Sequence, residues 1–323
     1  MPLLATHKPS PPDPARAKIP VGLRLKAWWD GNELVLKARA GEAPPEPEPR
    51  KVVGYRDPAR PWETHRIRML QAVWGEGFWA PGRREYGQRL AKPFGLTPAM
   101  SLLDLGAGLG GPARACVEEF GVWVSGVERD PELAAAGKEI STLAGLAKKA
   151  EIAPYDPENF EIPPRSFDCI IARETLFTVA DKARLLRVIE HGLKPHGQFV
   201  FTDYVLSGKG HADKPAVKAW IELEPVKPHL WTLDEYTRCL RELKFDIRVA
   251  EDETTAFRNL ILSGWSDYTL AAANAVLDPD MARCLVQEVE IWARRVAAID
   301  AGDLRLYRIY ALKTTNDRLL SNW

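Results

Sequence analysis

From residue 101 onward, short apolar runs alternate with longer segments in which apolar residues recur every three to four positions. The short runs predict β-strands, and the longer segments predict amphipathic α-helices. The predicted strands cover residues 101–105, 122–128, 150–154, 167–172, 197–204, 245–250 and 304–312. The predicted helices cover a segment from about residue 111, then 131–146, 181–193, 212–222, 232–243, 254–274 and 279–300. This alternation favours an α/β fold with a doubly wound, mostly parallel sheet of seven strands.

The chain before the predicted sheet divides into two parts. Of the 26 prolines, 12 lie in the first 61 residues. Proline cannot join helix or sheet ladders, so we expect a Pro-rich, extended arm over residues 1–60. Residues 61–100 predict a helical lid segment that is interrupted at Gly75 and Gly77. Residues 101–315 then form the main domain, with a late helical insertion at 254–300.

One stretch of the arm has the pattern of a strand pair. Apolar and polar residues alternate from Val21 to Trp28, an Asp-Gly pair follows, and a second apolar run begins at Leu34. This order predicts a β-hairpin over residues 21–38. Residues 21–39 are also basic and rich in tryptophan. They suit either packing on the main domain or a peripheral contact with a membrane or a partner.

The charges of the chain balance, with 44 Lys and Arg against 44 Asp and Glu. Proteins that bind nucleic acid usually carry a basic face, so we expect no nucleic acid partner. The four cysteines lie far apart and form no CxxC pair, which predicts reduced thiols and no metal site. Long apolar runs and an apolar leader are absent from the sequence. We therefore expect a cytoplasmic protein, peripheral to a membrane if the arm binds lipid.

A glycine-rich turn follows the first predicted strand. The run from Asp104 to Gly111 reads Asp-Leu-Gly-Ala-Gly-Leu-Gly-Gly. Its glycines let a ligand approach the backbone, and the helix that follows offers free N–H groups. The GxGxxG spacing also suits a dinucleotide. The carboxylate of Asp104 favours the cationic amino group or sulfonium of S-adenosylmethionine (SAM), because it would repel a pyrophosphate.

Two further carboxylates fit the same ligand. Glu128 ends the second strand, where it can accept hydrogen bonds from ribose hydroxyls. Asp156 follows the third strand, where it can hold an adenine amino group, with the ring of Tyr155 against the base. Each carboxylate has a structural alternative, because Asp104 can cap a turn, Glu128 can be solvated and Asp156 can start a loop. The candidate cofactor residues are Asp104, Gly106, Gly108, Gly110, Glu128, Arg129, Tyr155, Asp156 and Arg173.

Three motifs between residues 98 and 206 are typical of one enzyme family. They are the Asp104–Gly111 run, the strand start Phe167-Asp168, and the turn Leu193-Lys194-Pro195-His196-Gly197. Together they resemble class I SAM-dependent methyltransferases, with His196 at a position where that family has glycine. The resemblance implies a Rossmann-like fold, SAM as the cofactor and methyl transfer as the activity.

Further segments narrow the resemblance to one branch of that family. They are Trp74–Gly82 in the lid, Ala172–Phe177, Thr202–Tyr204, Lys244–Asp252 and the last strand up to Lys313. These are similar to phosphoethanolamine N-methyltransferases, and the similarity covers about residues 70–314. It implies that the methyl acceptor is an amine.

The acceptor site departs from that branch. The family's catalytic His corresponds to Thr178, its lid Tyr corresponds to Trp74, and its acid is replaced by Glu174; Tyr204 is kept. The stretch that corresponds to the family's phosphate ligands carries only Lys227, His229 and Trp231. A phosphate dianion requires several fixed cationic and phenolic donors, so phosphoethanolamine itself is disfavoured. Trp74 and Trp231 suit a flatter, apolar or cationic acceptor, or they fill the core beside the cofactor.

Methyl transfer from a sulfonium is an in-line displacement that depends mainly on alignment and on the exclusion of water. An amine acceptor must also lose a proton. The candidate catalytic residues for that step are Glu174, Tyr204 and His229, and the candidate substrate residues are Trp74, Thr178 and Trp231. Glu174 has a structural alternative as the partner of Arg173. In the late helices, we expect the charges of Arg294 and Arg295 on solvated faces.

Three functions remain open at this point. The first is a SAM-dependent methyltransferase that acts on a small-molecule amine. The second is a methyltransferase that acts on a membrane lipid headgroup or an unsaturated acyl chain, with the arm in contact with the bilayer. The third is a SAM-binding protein without catalytic activity.

Overall fold

The computed structural model of the chain describes residues 64–272 and 277–314. The Pro-rich arm and its β-hairpin at 21–38 lie outside these residues, so both stay predictions. Within the described part, no helix is both long and apolar enough to cross a membrane.

The chain divides into two units. The larger unit comprises Arg50–Trp265 and Leu277–Trp323, and its described residues hold the sheet and all the candidate site residues. The smaller unit comprises Met1–Pro49 and Ser266–Val276. Of the smaller unit, residues 266–272 are described, and residues 266–271 are helical.

The strands of the larger unit form one sheet. They are β1 (Ser101–Leu105), β2 (Trp123–Glu128), β3 (Ala150–Pro154), β4 (Phe167–Arg173), β5 (Leu193–Leu206), β6 (Trp231–Thr232), β7 (Phe245–Asp252) and β8 (Leu304–Lys313). Their order is β3-β2-β1-β4-β5-β8-β7, and β6 pairs with β5 beside this path. Strands β1 to β6 pair in parallel, whereas β8 is antiparallel to both of its neighbours. The strand order reverses between β1 and β4, which is where ligands bind in sheets of this kind.

Helices lie before, between and after the strands, and some of them begin at residues whose side chains cap the helix. They are α1 (Thr64–Trp74), α2 (Arg83–Ala91), α3 (Gly111–Phe120), α4 (Pro131–Leu143), α5 (Lys182–Gly192), α6 (Pro215–Ile221), α7 (Leu233–Glu242), α8 (Thr254–Ala271) and α9 (Pro279–Asp300). The side chain of Asp130 accepts hydrogen bonds from two backbone N–H groups at the start of α4. A reciprocal capping box between Thr232 and Glu235 starts α7.

The structure confirms the doubly wound, mostly parallel sheet and corrects the strand number from seven to eight. The additional strand is β6, which has two residues and therefore no period that a sequence pattern could reveal. The break in the lid is also longer than predicted and covers residues 75–82. Gly75, Gly77 and Gly82 all adopt left-handed backbone conformations there.

The two faces of β5 have different roles. Phe199 and Phe201 are buried in the main hydrophobic core, which also includes Ile189 of α5 and Leu240 of α7. Successive side chains of a strand point to opposite faces. The other face of β5 therefore carries Tyr204, whose ring packs against α8 and α9 and not against α7.

Candidate active site

The parallel strands bring most of the candidate residues to one edge of the sheet. Asp104 lies in β1, Glu128 ends β2, and Arg173 ends β4. Glu174 follows β4 directly, and Tyr204 lies near the end of β5. Because the carboxyl ends of parallel strands share an edge, these side chains surround the turn between β1 and α3.

The glycine turn is closely covered by neighbouring side chains. Gly106 and Gly108 have φ angles of 73° and 55°, in the left-handed region. A Cβ atom on Gly106 would lie 2.0 Å from Thr175 Oγ1, and one on Gly108 would lie 1.8 Å from Trp79 Nε1. Larger residues therefore do not fit at either position, and the indole of Trp79 lies directly against the turn.

A buried arginine connects the lid with the same turn. Arg114 of α3 donates to the backbone oxygen of Leu109 at 2.8 Å and to that of Gly77 at 3.4 Å. Burial lowers the pKa of its guanidinium to about 10. The sequence motifs did not identify Trp79 or Arg114 as site residues, because neither belongs to the glycine run itself.

Glu128 holds the backbone of the turn in place. One carboxylate oxygen accepts from Gly108 N at 2.8 Å, and the other accepts from Asp130 N at 3.0 Å. Burial raises the pKa of this carboxyl to about 7, although the hydrogen bonds oppose the shift. Its backbone oxygen accepts from Tyr155 N at 3.0 Å, so Tyr155 lies beside Glu128.

Asp104 and Arg173 face each other below the turn. Both side chains are buried, and Asp104 Oδ2 and Arg173 Nη1 have no hydrogen-bond partner among the described residues. Burial raises the pKa of Asp104 to about 6, and the charge of Arg173 opposes this shift. Buried polar atoms in folded proteins are nearly always paired, so this unpaired anion and cation are suited to a ligand with both charges.

The remaining cofactor candidates lie further from this pair. Asp156 is exposed, and it accepts from Glu158 N at 3.0 Å and from Asn159 Nδ2 at 2.6 Å, as expected for a residue that starts a loop. These hydrogen bonds lower its pKa. Arg129 donates to the backbone oxygen of Thr178 at 3.1 Å and thereby joins the end of β2 to the segment after β4.

Glu174 has an unusual backbone and a buried carboxyl group. Its φ angle is 43°, which is uncommon for a residue with a side chain. Its carboxylate accepts from Thr202 Oγ1 at 2.6 Å, and its backbone N donates to Thr202 O at 2.7 Å. Burial raises the pKa of Glu174, with the charge of Arg173 as the main opposing effect. A carboxyl with a raised pKa is suited to accept a proton near neutral pH.

Tyr204 lies beside a group of aromatic residues. Its ring centroid is 5.2 Å from that of Phe177 and 5.5 Å from that of Trp220. Its hydroxyl is buried without a hydrogen-bond partner in the described part of the chain, and burial raises its pKa. The guanidinium of Arg295 lies 5.0 Å from the same ring.

Trp74 lies in a tryptophan cluster between the lid and the late helices. Its ring is 4.9 Å from that of Trp292 and 5.8 Å from that of Trp265. Gly264 permits this packing, because a Cβ there would lie 2.3 Å from the indole of Trp74. The indole N–H of Trp74 is buried and makes no hydrogen bond within the described residues.

Three other candidates make contacts with residues other than Tyr204. Trp231 packs at 5.1 Å against Tyr236, which donates to Asp203 on the opposite face of β5. His229 N donates to Phe177 O at 2.6 Å, and burial together with Lys182 lowers the pKa of the imidazole. Thr178 donates its hydroxyl to the backbone oxygen of Thr175 at 2.8 Å.

The expectation for Arg295 was wrong, whereas Arg294 is exposed as expected. Arg295 is buried because α9 packs that side against the aromatic residues around Tyr204. Sequence analysis also missed Tyr86 of the lid, which is buried with its hydroxyl 3.4 Å from a carboxylate oxygen of Glu253. The helical spacing of apolar residues within α9 could have predicted that Arg295 lies on the buried face of this helix.

The comparisons with known proteins agree with this geometry. The family model described as a methyltransferase domain matches residues 78–249. Phosphoethanolamine N-methyltransferase 3 of Arabidopsis thaliana is 29% identical over 200 residues, which is 62% of this chain and 40% of the relative. Cycloartenol-C-24-methyltransferase of the same plant is 26% identical over 210 residues, 61% of this chain and 62% of the relative. The match thus covers less than half the length of the Arabidopsis thaliana phosphoethanolamine N-methyltransferases 1 and 3.

Solved structures show the same fold. Phosphoethanolamine N-methyltransferase 2 of Haemonchus contortus, solved in complex with S-adenosyl-L-methionine, superposes with a TM-score of 0.70 at 24% identity. The match covers 83% of this chain and 62% of that protein. The arrangement of strands around the glycine turn is therefore that of class I methyltransferases.

Proposed function

Because the chain belongs to the methyltransferase domain family, we propose that it transfers a methyl group from SAM to a small-molecule amine. Proteins of this family use SAM as the methyl donor. The observation that carries the proposal is the unpaired, buried couple of Asp104 and Arg173 below the glycine turn.

The residues at the turn fit this cofactor. SAM carries an ammonium and a carboxylate on its amino acid part, and Asp104 and Arg173 offer the complementary charges. Glu128 at the end of β2 and Tyr155 directly after β3 lie side by side, where they would hold the ribose and the base. The close packing of Trp79 on Gly108 would exclude water from the site.

The chain's own task is to hold the amine and remove its proton. SAM supplies a methyl group that is already activated on a sulfonium. Glu174 is the best proton acceptor on this face, because its carboxyl is buried with a raised pKa and lies close enough to Tyr204 for their charges to interact. His229 is a weaker candidate, because burial and the charges of Lys182 and Lys227 lower the pKa of its imidazole. We therefore assign the proton transfer to Glu174 and the orientation of the acceptor to Tyr204.

A titration calorimetry experiment tests the cofactor site. Asp104→Asn should weaken SAM binding by about tenfold or more, because it removes the charge that faces the ammonium. Asp246→Asn, at an exposed ion pair on β7, is the matched control and should bind like the unchanged protein. Equal affinity of the Asp104→Asn variant and the control would contradict the assignment.

A second candidate function is methyl transfer to a carbon atom of an apolar lipid. It is favoured by the tryptophan cluster around Trp74 and by the similarity to cycloartenol-C-24-methyltransferase. The same Glu174 would then remove the proton from the methylated carbon skeleton. In this case the protein would contact a membrane through residues 21–39, which lie outside the described residues.

A further inference from the structure

A buried cation lies in the centre of the aromatic residues on the Tyr204 face. The guanidinium of Arg295 is 4.3 Å from the ring centroid of Trp292, 5.0 Å from that of Tyr204 and 5.6 Å from that of Trp220. We call Tyr204, Trp220, Trp292 and Trp74 the aromatic cluster. Its cation is close enough to Glu174 to influence the pKa of that carboxyl. Thr202, which donates to Glu174, lies two residues before Tyr204 on the same face of β5, so the cluster lies beside the proposed proton acceptor.

The charge of Arg295 is already compensated within the chain. Its Nη2 donates to Glu224, and the same carboxylate oxygen accepts from the indole N–H of Trp220. The side chains of Arg295 and Glu224 are 10% and 6% exposed, so water screens this ion pair only weakly. Glu224 and Glu288 hold the pKa of Arg295 above its ordinary range.

The charged residues around the aromatic cluster include no excess of cations. Glu288 forms a second buried ion pair with Arg66 of α1. Arg173 faces both Asp104 and Glu174. Arg295 and Arg66 are thus each paired with a carboxylate, and the proposed cofactor site reserves Arg173 for the carboxylate of SAM. A phosphate dianion placed here would find no uncompensated cation to repay the cost of its dehydration.

We infer that the acceptor carries no phosphate group and places an apolar or aromatic body against the aromatic cluster, with its amine towards Glu174. This inference rests on the proposed function. Indole and phenol rings contribute large apolar contact areas with defined geometry. Arg295 Nε and the Tyr204 hydroxyl are both buried, and the two side chains are close enough for Arg295 to influence the pKa of Tyr204. Both groups can form hydrogen bonds with an uncharged oxygen atom of such an acceptor, which adds no charge to the site.

Two amines that differ at one end test this inference. Phenylethylamine and phosphoethanolamine both carry a primary amine on a two-carbon chain, which ends in a phenyl ring or in a phosphate. Calorimetry with the full chain saturated with S-adenosylhomocysteine should show phenylethylamine to bind about tenfold tighter or more. Equal affinity, or tighter binding of phosphoethanolamine, would overturn the inference. Failure of the protein to bind S-adenosylhomocysteine would instead contradict the proposed function.

A substitution at Glu224 should reduce the preference for phenylethylamine over phosphoethanolamine if the charge argument is right. Glu224→Gln leaves Arg295 without its carboxylate partner, so phosphoethanolamine should bind about tenfold tighter than to the unchanged protein. Phenylethylamine should bind with nearly the same affinity as before. Glu222→Gln, an exposed position two residues away, is the matched control and should change neither affinity. A folded Glu224→Gln variant with unchanged phosphoethanolamine affinity would overturn the charge argument.

If Glu224→Gln does not fold, the comparison of the two amines on the unchanged protein still decides the inference. Competition by inorganic phosphate is a third readout on that protein. At constant ionic strength, inorganic phosphate should not displace phenylethylamine from the protein. Displacement would overturn the inference.

Discussion

Asp104 illustrates how a functional residue can oppose stability. Its carboxyl is buried, and its pKa is raised to about 6 from an ordinary value near 3.8. A raised pKa in the folded state means that folding favours the protonated form. The stability from this group is fully present below about pH 4 and is lost as the pH rises through about 6.

We therefore predict that Asp104→Asn stabilises the SAM-free protein at pH 8. The gain is at most about 3 kcal/mol, since a pKa unit corresponds to roughly 1.4 kcal/mol. The same variant binds SAM poorly, because the ammonium loses its partner. Urea denaturation at pH 8 measures the first effect, and a less stable variant would show that the carboxylate has a structural partner.

Glu174 leads to a prediction about catalysis. Glu174→Gln keeps the shape of the side chain and its contact with Thr202 but cannot accept a proton. We expect unchanged SAM affinity and a loss of kcat by about 100-fold or more. In the unchanged enzyme, kcat should fall as the pH decreases through the raised pKa of Glu174, because the base must be ionised.

A stopped assay with methyl-labelled SAM measures both effects of Glu174. Glu190→Gln, at a half-buried ion pair on α5, provides a matched control with ordinary turnover. Full activity of Glu174→Gln would remove this residue from the mechanism and restore its alternative as the structural partner of Arg173.

At the scale of elements, Lys182 at the start of α5 joins two segments that border the acceptor site. Its buried Nζ donates to the backbone oxygens of Val179 and His229. Asp203 is buried nearby, where its charge attracts the ammonium and it accepts from the Tyr236 hydroxyl at 2.5 Å. Lys182 thus holds the segment of His229 against the segment after β4, which makes it a positioning residue.

We predict that Lys182→Met destabilises the protein by about 1–3 kcal/mol, because the backbone oxygens of Val179 and His229 lose their buried donor and Asp203 loses a nearby cation. Lys218→Met, at the exposed ion pair with Asp213, should cost less than about 1 kcal/mol. The double change Lys182→Met with Asp203→Asn should recover part of the loss. Urea denaturation of the four proteins provides the test, and equal losses in the two single lysine variants would contradict it.

The elements also show which parts of the fold a sequence pattern can reveal. Strand β1, the glycine turn and helix α3 have strong local patterns, and the structure confirms them. The two-residue strand β6 has no period, so it was missed. The bonds that fix it come from distant residues, because β6 pairs with Val205 and Leu206 of β5.

The site was predictable where each residue follows a strand of the parallel sheet. Asp104, Glu128, Arg173 and Glu174 share one edge, because the topology brings successive strand ends together. Trp231 was placed on the acceptor side, although it contacts Tyr236 on the other face of β5. Asp203 and Tyr204 point to opposite faces of β5, and Trp231 lies on the face of Asp203. The sequence alone does not reveal which residues pack on each face of this strand.

At the scale of the whole molecule, the raised pKa values of buried acids predict a common pH dependence. Asp104 and Glu128 have pKa values of about 6 and 7, above their ordinary values. Both contributions to stability are lost as the pH rises from about 4 to about 7. The acids with lowered pKa values, such as Asp168 and Asp252, stay ionised over this window.

We therefore predict that Tm of the SAM-free protein falls between pH 5 and pH 8. Scanning calorimetry at constant ionic strength measures this change. The Asp104→Asn variant should show a smaller decrease, because one of the titrating groups is gone. A Tm that rises over the same range would contradict the burial of these two carboxyls.

The most direct measurement for the central claim follows the methyl group itself. Purified protein is incubated with methyl-labelled SAM and a cell extract that includes membranes, and the mixture is then divided into aqueous, organic-soluble and precipitated fractions. We predict label in the aqueous fraction on a small amine, and none with Glu174→Gln. Label in the organic fraction alone would instead establish the lipid as the acceptor. SAM binding without any transferred label would contradict the proposed activity.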